Sequence, residues 1–245
     1  MAFSPDGKVL ASASRDATVA LRDANGKLLG KLPHPSAVHS LAFSPDGRTL
    51  ATGCFGDAII RLWDVEARKL TKEIEGKAAI SNNLCFSPDG RTLASSAQEP
   101  TARLWDVKTG AQLTTFGGFT GPVFGVKFTP DGKIIAVQSL EGGMIRLFDV
   151  SDGSVRATIP LRSYGRLAFS PDGASLYADG SGDAAVHVFA VPSGKPLAAY
   201  PGKLKVVINL ALSPDGRTLA WCGMADRDGA VRVLRLPEAK PKAAK

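Results

Sequence analysis

Apolar and polar residues alternate in short runs along almost the whole chain. Val9 to Ala13, Thr49 to Gly53 and Thr92 to Ser96 are alternating apolar runs, and each precedes a second run such as Ile59 to Trp63, rich in β-branched or aromatic residues. A period of two over stretches of this length predicts β-strands. The pattern therefore predicts many short strands and leaves no room for a long helix.

One five-residue phrase interrupts the pattern six times. It reads Phe-Ser-Pro-Asp-Gly, with Thr in place of Ser in the fourth copy and Leu in place of Phe in the sixth. The copies stand at 3–7, 43–47, 86–90, 128–132, 169–173 and 212–216. Proline presets φ, aspartate bonds its own backbone and glycine accepts a positive φ, so each copy predicts a tight turn. The spacing of 40 to 43 residues suits propeller blades as well as helical repeats, and the strand pattern favours blades.

A second reversal in most units completes the predicted blade. Pairs that end in glycine, such as Asn25-Gly26 and Thr109-Gly110, lead to further short strands at 27–32 and 111–116. The sequence thus predicts an all-β propeller of about six four-stranded antiparallel blades over residues 1–236. Residues 237–245, rich in lysine and proline, are predicted to form a flexible tail.

The repeated residues resemble the WD40-repeat β-propeller family over residues 2 to about 236. The sequence that is characteristic of that family is Ala-Phe-Ser-Pro-Asp-Gly-Arg-Thr-Leu-Ala followed by Arg-Leu-Trp-Asp. Trp63-Asp64 and Trp105-Asp106 are full copies of its dipeptide, and Phe148-Asp149 is a partial one. A related propeller class, with Pro-Asp-Gly repeats in periplasmic and peptidase-associated proteins, is the alternative.

The resemblance implies a buried, hydrogen-bonded tetrad in the second blade. Its members are His34, Thr52, Asp57 and Trp63. The other blades have no histidine in the matching position, so at most one blade has the full set. Such residues brace the blade, because buried polar groups need partners. Trp63 and Trp105 are expected to be buried.

The resemblance also implies a partner-binding rim at one end of the blades. Its positions lie four residues before the repeat phenylalanine and one residue before the turn acid: Arg15, His39, Asn82, Gln98, Phe124, Ile208 and Arg227. These residues vary freely between repeats, whereas the structural positions do not. The function expected from the resemblance is a non-catalytic scaffold that binds a protein or peptide partner.

Composition and charge narrow the classes of protein and of binding partner that fit this chain. Hydrophobic residues make up 44% and charged residues 22% of the 245 residues, which excludes a wholly disordered chain. The 30 basic and 23 acidic residues leave a charge of +7, so weak binding of acidic partners is a further alternative. The basic residues are spread over the repeats, which argues against specific nucleic-acid binding. No apolar stretch is long enough for a membrane helix.

Candidate chemistry is sparse. The three cysteines are far apart, and neither they nor the three histidines show metal-ligand spacing or a catalytic motif. We expect reduced thiols, no metal, no cofactor, no enzymatic activity and a cytoplasmic location.

The two ends depart from the family pattern. In most rings of this family, the N-terminal segment supplies the outer strand of the last blade, whereas this sequence begins within an inner strand at Ala2-Phe3. A fragment of a longer propeller and an unusual six-blade ring are both compatible with this departure. We expect the contact between the first and last blades, which closes the ring, to be the least stable part of the molecule. The unsealed terminal blades are expected to offer a route to self-association.

Overall fold

The chain is all-β. The computed structural model describes residues 1–76, 83–201, 204–225 and 228–236, and every regular element in them is a strand. The strands form six antiparallel sheets in the order of the sequence, which confirms the predicted propeller of about six blades. The predicted tail at 237–245 lies outside the described residues. No helix long and apolar enough to cross a membrane occurs in the described part of the chain.

Each of the first three blades contains four strands that lie in the sheet in chain order. They are β1 (Ala2–Phe3), β2 (Val9–Ala13), β3 (Thr18–Asp23), β4 (Leu28–Pro33), β5 (Val38–Phe43), β6 (Thr49–Cys54), β7 (Ile59–Asp64), β8 (Lys69–Glu75), β9 (Asn83–Phe86), β10 (Thr92–Ser96), β11 (Ala102–Asp106) and β12 (Gln112–Phe116).

The fourth and fifth blades repeat this plan, and the sixth departs from it. Their strands are β13 (Val123–Phe128), β14 (Ile134–Ser139), β15 (Met144–Asp149), β16 (Val155–Pro160), β17 (Leu167–Phe169), β18 (Ser175–Asp179), β19 (Ala185–Ala190), β20 (Pro196–Pro201), β21 (Val206–Leu212), β22 (Thr218–Ala225) and β23 (Asp228–Arg235). Within the described residues the sixth sheet has three strands, not the predicted four.

The repeated phrase forms a turn that is tied to the strand after it. In the second blade, the Ser44 hydroxyl donates to the Asp46 carboxylate (2.6 Å) and accepts from the amide of Thr49 (2.9 Å). Gly47 has a φ of +72°, a conformation that side chains disfavour. The hydrogen bond from Ser44 lowers the pKa of Asp46, because it stabilises the charged carboxylate.

These turns also connect neighbouring blades. A Cβ added to Gly47 would lie 3.4 Å from Pro5 of the preceding turn, and one added to Gly132 would lie 3.3 Å from Pro88. The same relation holds at Gly90, Gly173 and Gly216. Around Gly7, no other described atom lies within 4 Å of such a Cβ. Among the described residues the contact is therefore made at five junctions, and Gly7 of the first blade has no such contact.

The hydrophobic core lies between the blades. Five clusters of buried side chains each join two consecutive blades, for example Ile60 and Leu62 with Leu93 and Trp105. Trp63 and Trp105 are buried, as the sequence predicts. None of these clusters of described residues joins the first blade to the sixth.

Candidate partner-binding face

The topology gathers two sets of loops at one end of the blades. Because successive strands run in opposite directions, the connections after the second and fourth strands lie opposite the Pro-Asp-Gly turns. We call this end the upper face. Its described loops are 14–17, 55–58, 97–101, 140–143 and 180–184 after second strands, and 34–37, 117–122 and 161–166 after fourth strands.

Three of the residues predicted for the rim occupy the same structural position. His39, Phe124 and Ile208 each lie where the register between the first and second strands shifts by one residue. Such a β-bulge leaves one residue out of the ladder and redirects its side chain. The bulge thus explains why this position can vary without disturbing the sheet.

The described rim residues lie at the surface to different degrees. Arg15, His39, Gln98 and Ile208 are exposed, whereas Phe124 is half-buried. Phe124 lies where two blades approach closely, since a Cβ on Gly165 would be 2.9 Å from its carbonyl carbon. Asn82 and Arg227 lie outside the described residues.

Phe55 is an upper-face residue that sequence reasoning missed. Its exposed ring lies 5.1 Å from the ring of His39, measured between centroids. Its backbone accepts a hydrogen bond from the Ser36 hydroxyl (3.0 Å) and donates one to Ala37 (2.8 Å). These bonds join the two loops and hold the aromatic pair in place. The feature of the sequence that could have identified Phe55 is a large aromatic residue directly before the glycine of a turn.

Tyr164 is the second aromatic residue that was missed, and a buried carboxylate positions its loop. Asp179 is fully buried and accepts hydrogen bonds from the Ser163 hydroxyl (2.6 Å) and from the amides of Tyr164 and Arg166 (2.9 Å each). The buried amide of Gln138 donates to the carbonyl of Ser163. Three hydrogen bonds to one buried carboxylate hold this segment in place, so the exposed Tyr164 ring stands on a fixed loop.

Three of the four tetrad residues meet in a chain of hydrogen bonds. Trp63 Nε1 donates to Thr52 Oγ1 (3.0 Å), which lies 2.8 Å from His34 Nε2. The other ring nitrogen of His34 lies 3.0 Å from the carbonyl oxygen of Leu32. A carbonyl only accepts, so Nδ1 carries the proton and Nε2 accepts from Thr52 in the neutral ring. Burial lowers the pKa of His34, which favours this neutral form.

Asp57, the fourth predicted member, bonds elsewhere. Both ring nitrogens of His34 have other partners, and Asp57 accepts from the amide of Ile59 (2.9 Å) and from Arg61 (2.6 Å). Arg61 is buried and also contacts Glu73 at 3.0 Å. The carboxylate therefore neutralises a buried guanidinium.

Acid–base pairs of this kind recur in other blades. Glu99 pairs with Arg103, and Asp183 lies 2.8 Å from His187, both with the spacing of Asp57 and Arg61. The sequence shows both halves of each pair, a turn acid and a base four residues later. Their recurrence in three blades indicates a structural task.

The described residues show little that could hold a metal. They contain no group of three or more histidine, cysteine, aspartate or glutamate side chains with suitable placement. Cys54, Cys85 and Cys222 are free thiols. Burial raises the pKa of Cys54, so this thiol is less readily ionised.

Comparison with known proteins gives one family. The family model for the WD domain, G-beta repeat, matches residues 1–23, 26–64, 68–106 and 110–149, more than half of the chain. A guanine nucleotide-binding protein subunit beta from Nicotiana tabacum is 30% identical over 168 residues, 62% of this chain and 44% of the relative.

Two further relatives are also similar to this chain. The guanine nucleotide-binding protein subunit beta from Oryza sativa subsp. indica is 28% identical over 202 residues, 72% of this chain and 53% of the relative. Actin-interacting protein 1 from Drosophila melanogaster is 44% identical over 75 residues, 29% of this chain and 12% of the relative. The chain thus spans about half the length of the beta-subunit relatives that it matches.

Proposed function

Because the chain belongs to the WD domain, G-beta repeat family, we propose that it is a non-catalytic protein-interaction scaffold whose upper face binds a partner. The beta-subunit relatives are, by name, components of a larger assembly. An assembly role for this chain follows from that likeness and from its own surface. The related Pro-Asp-Gly propeller class is not favoured by these comparisons.

The observation that carries the proposal is the set of aromatic and apolar side chains on the loops and strand ends of the upper face. Phe55 with His39, Tyr164 and Ile208 are exposed at this end of the blades. Aromatic residues on rigid supports are typical anchors of protein interfaces, because they bury a large area with little loss of entropy. Arg15 and Gln98 are exposed polar residues of the same face.

A partner for this face needs apolar side chains that can pack on the aromatic rings. It also needs acceptors for Arg15, as an acidic or carbonyl-rich peptide offers. The partner class that fits best is an extended or looped peptide with an apolar anchor next to an acidic residue.

Selection from a random peptide library on the immobilised chain tests the proposal. Phe55→Ala and Tyr164→Ala should each weaken the selected peptides at least tenfold, as expected for interface anchors worth more than about 1.4 kcal/mol. Leu113→Ala is the matched control, since Leu113 is exposed on the outer strand β12.

Equal binding of the selected peptides to all three variants would contradict the upper face as the binding surface. The non-catalytic part has its own test. A substrate-dependent activity of the purified chain that disappears on changing a single carboxylate would overturn it.

A further inference from the structure

The third strands of the second to fifth blades carry a basic side chain at the same position. In three of these blades an acid four residues earlier neutralises it: Asp57 and Arg61, Glu99 and Arg103, Asp183 and His187. The corresponding residues of the fourth blade are Gly142 and Arg146. The loops 55–58 and 140–143 have the same length, so Gly142 occupies the place of Asp57. Arg146 therefore lacks the carboxylate that the other three blades supply.

The outer strand of the fourth blade supplies no carboxylate either. Arg61 of the second blade lies opposite Glu73 and contacts it at 3.0 Å, whereas Arg146 lies opposite the neutral Thr158. Glu141, the nearest acid in the sequence, extends towards Gly121, where an added Cβ would overlap its carboxylate. Arg146 thus forms no ion pair with any described residue.

The guanidinium of Arg146 is nevertheless held in place beneath the upper-face loop 117–122. Its Nη1 donates to the carbonyl of Gly117 (3.1 Å), and its central carbon lies 5.3 Å from the ring centroid of the buried Phe119. Gly118 lies so close to Nη1 that an added Cβ would overlap it. The half-buried side chain keeps its Nε without a hydrogen-bond partner among the described residues. A fixed, partly desolvated cation that lacks acceptors favours an anion.

A carboxylate is the anion that fits this place, because the fold puts one there in three other blades. The two oxygens of a carboxylate match the planar fork of a guanidinium. Gly142 has no side chain to fill the place that Asp57 fills in the second blade. A Cβ at this position would lie 3.2 Å from Thr120 Oγ1 and 3.3 Å from the terminal carbon of Met144, so the place has room for a small side chain.

We propose that Arg146 binds a carboxylate side chain of a partner, an aspartate or glutamate that takes the place of the turn acid missing from the fourth blade. Gly142 leaves the place unfilled, and Gly117 and Phe119 hold the guanidinium. The site specifies that the partner carries an acidic residue where it meets the fourth blade. This inference rests on the proposed function, because the carboxylate belongs to the partner that binds the upper face.

Two short peptides test the site on the intact chain. Acetyl-Gly-Asp-Gly-amide carries the carboxylate, and acetyl-Gly-Asn-Gly-amide is the neutral control at equal ionic strength. NMR of the arginine Nε–H groups follows binding, and the loss of one signal in Arg146→Lys assigns it. The aspartyl peptide should shift this signal to saturation and bind about tenfold more tightly than the control, as expected for hydrogen bonds between charged groups. Neither peptide has an apolar anchor, so the result does not depend on whether Phe55 and Tyr164 bind a partner.

A carboxylate supplied by the chain itself gives the second criterion. Gly142→Asp should fill the site and remove the response of Arg146 to the aspartyl peptide. In a double-mutant cycle with Arg146→Gln, it should show a coupling of about two- to tenfold in the unfolding equilibrium constant. Gly182→Asp is the matched control, since Gly182 lies in the upper-face loop of the fifth blade with no described atom within 4 Å of an added Cβ. It should leave the response intact and show no coupling.

Several results would overturn the proposal. Equal shifts with the two peptides, the absence of a saturable shift, or a response that persists in Gly142→Asp would each show that Arg146 is not a carboxylate site. Glu141→Gln gives a further check, because Glu141 is the acid nearest to Arg146 in the sequence. If this substitution alone displaces the Arg146 signal as far as the peptide does, Glu141 is the partner of Arg146 in solution and the site is already filled.

Discussion

At the level of single residues, short chains of hydrogen bonds between the strands satisfy the buried indole nitrogens of Trp63 and Trp105. Trp63, Thr52, His34 and the carbonyl of Leu32 form one such chain in the second blade. In the third blade, Trp105 donates directly to Ser95 (2.8 Å). The tryptophan is therefore satisfied with or without a histidine, which explains how other blades can lack that residue.

The neutral state of His34 predicts a pH dependence of stability. Burial lowers its folded-state pKa below the ordinary value of 6.5. The unfolded chain therefore binds more protons below that pH, and the free energy of unfolding should fall as the pH drops from about 7.5 to 5. Denaturant unfolding across this range measures the effect.

Two histidine variants serve as the comparison. His34→Asn should lose most of the pH dependence between about 7.5 and 5, whereas the exposed His39→Asn should retain it. The turn aspartates do not interfere, because their pKa values are lowered from 3.8 and they titrate only in stronger acid. A slope that survives in His34→Asn would assign the titration to another group.

At the level of the element, the repeated turn performs two tasks. Its serine and aspartate hold the reversal together, and its glycine lies against the proline of the preceding turn. A single five-residue phrase thus shapes the blade and sets its distance from the neighbour. This double role explains why the phrase recurs with so little change.

A comparison of Gly7 with Gly216 separates the cost of the backbone conformation from the cost of the contact between blades. Gly7 and Gly216 have nearly the same φ, +71° and +69°. A Cβ added to Gly216 would lie 2.9 Å from Pro171, whereas a Cβ added to Gly7 would have no described atom within 4 Å. Gly7→Ala should cost about 1–2 kcal/mol from the backbone conformation alone. Gly216→Ala should cost about 1–3 kcal/mol more, because the proline must move.

Chemical denaturation of the two variants measures this difference. Adding Pro171→Ala to Gly216→Ala should recover most of the extra loss, and the same substitution added to Gly7→Ala should recover none. Equal losses in the two single variants would show that the blades adjust without cost.

At the level of the whole molecule, stability depends on contacts between consecutive blades. Each interior blade shares a hydrophobic cluster on both sides, whereas the described residues of the first and sixth blades share one on a single side. The exposed side chains Phe3, Val231 and Val233 lie at these two ends. Local opening is expected where the fewest apolar contacts oppose it.

Native-state hydrogen exchange should therefore be fastest at residues 2–14 and 229–236. The strands β13 to β15 in the fourth blade provide the internal reference in the same sample. Protection of the terminal blades equal to that of the fourth blade would contradict the expected low stability of the first and sixth blades.

The sequence alone predicted the fold because its determinants are local and repeated. Turn chemistry, strand alternation and a constant spacing predict six sheets without knowledge of any contact between them. The rim positions His39, Phe124 and Ile208 were implied by the resemblance to the WD40-repeat family, and the structure places a bulge at each. What recurs every 40 to 43 residues could be recognised from one chain.

Only the tertiary structure decided what depends on contacts between distant segments. Asp57 is paired with Arg61 instead of His34, because the ring nitrogens of His34 are taken by Thr52 and Leu32. Phe55 and Tyr164 became part of the upper face because hydrogen bonds between loops fix their positions. The exposure of Val231 likewise depends on the residues around it, since no described residue covers it and its residue type matches that of buried counterparts in the other blades.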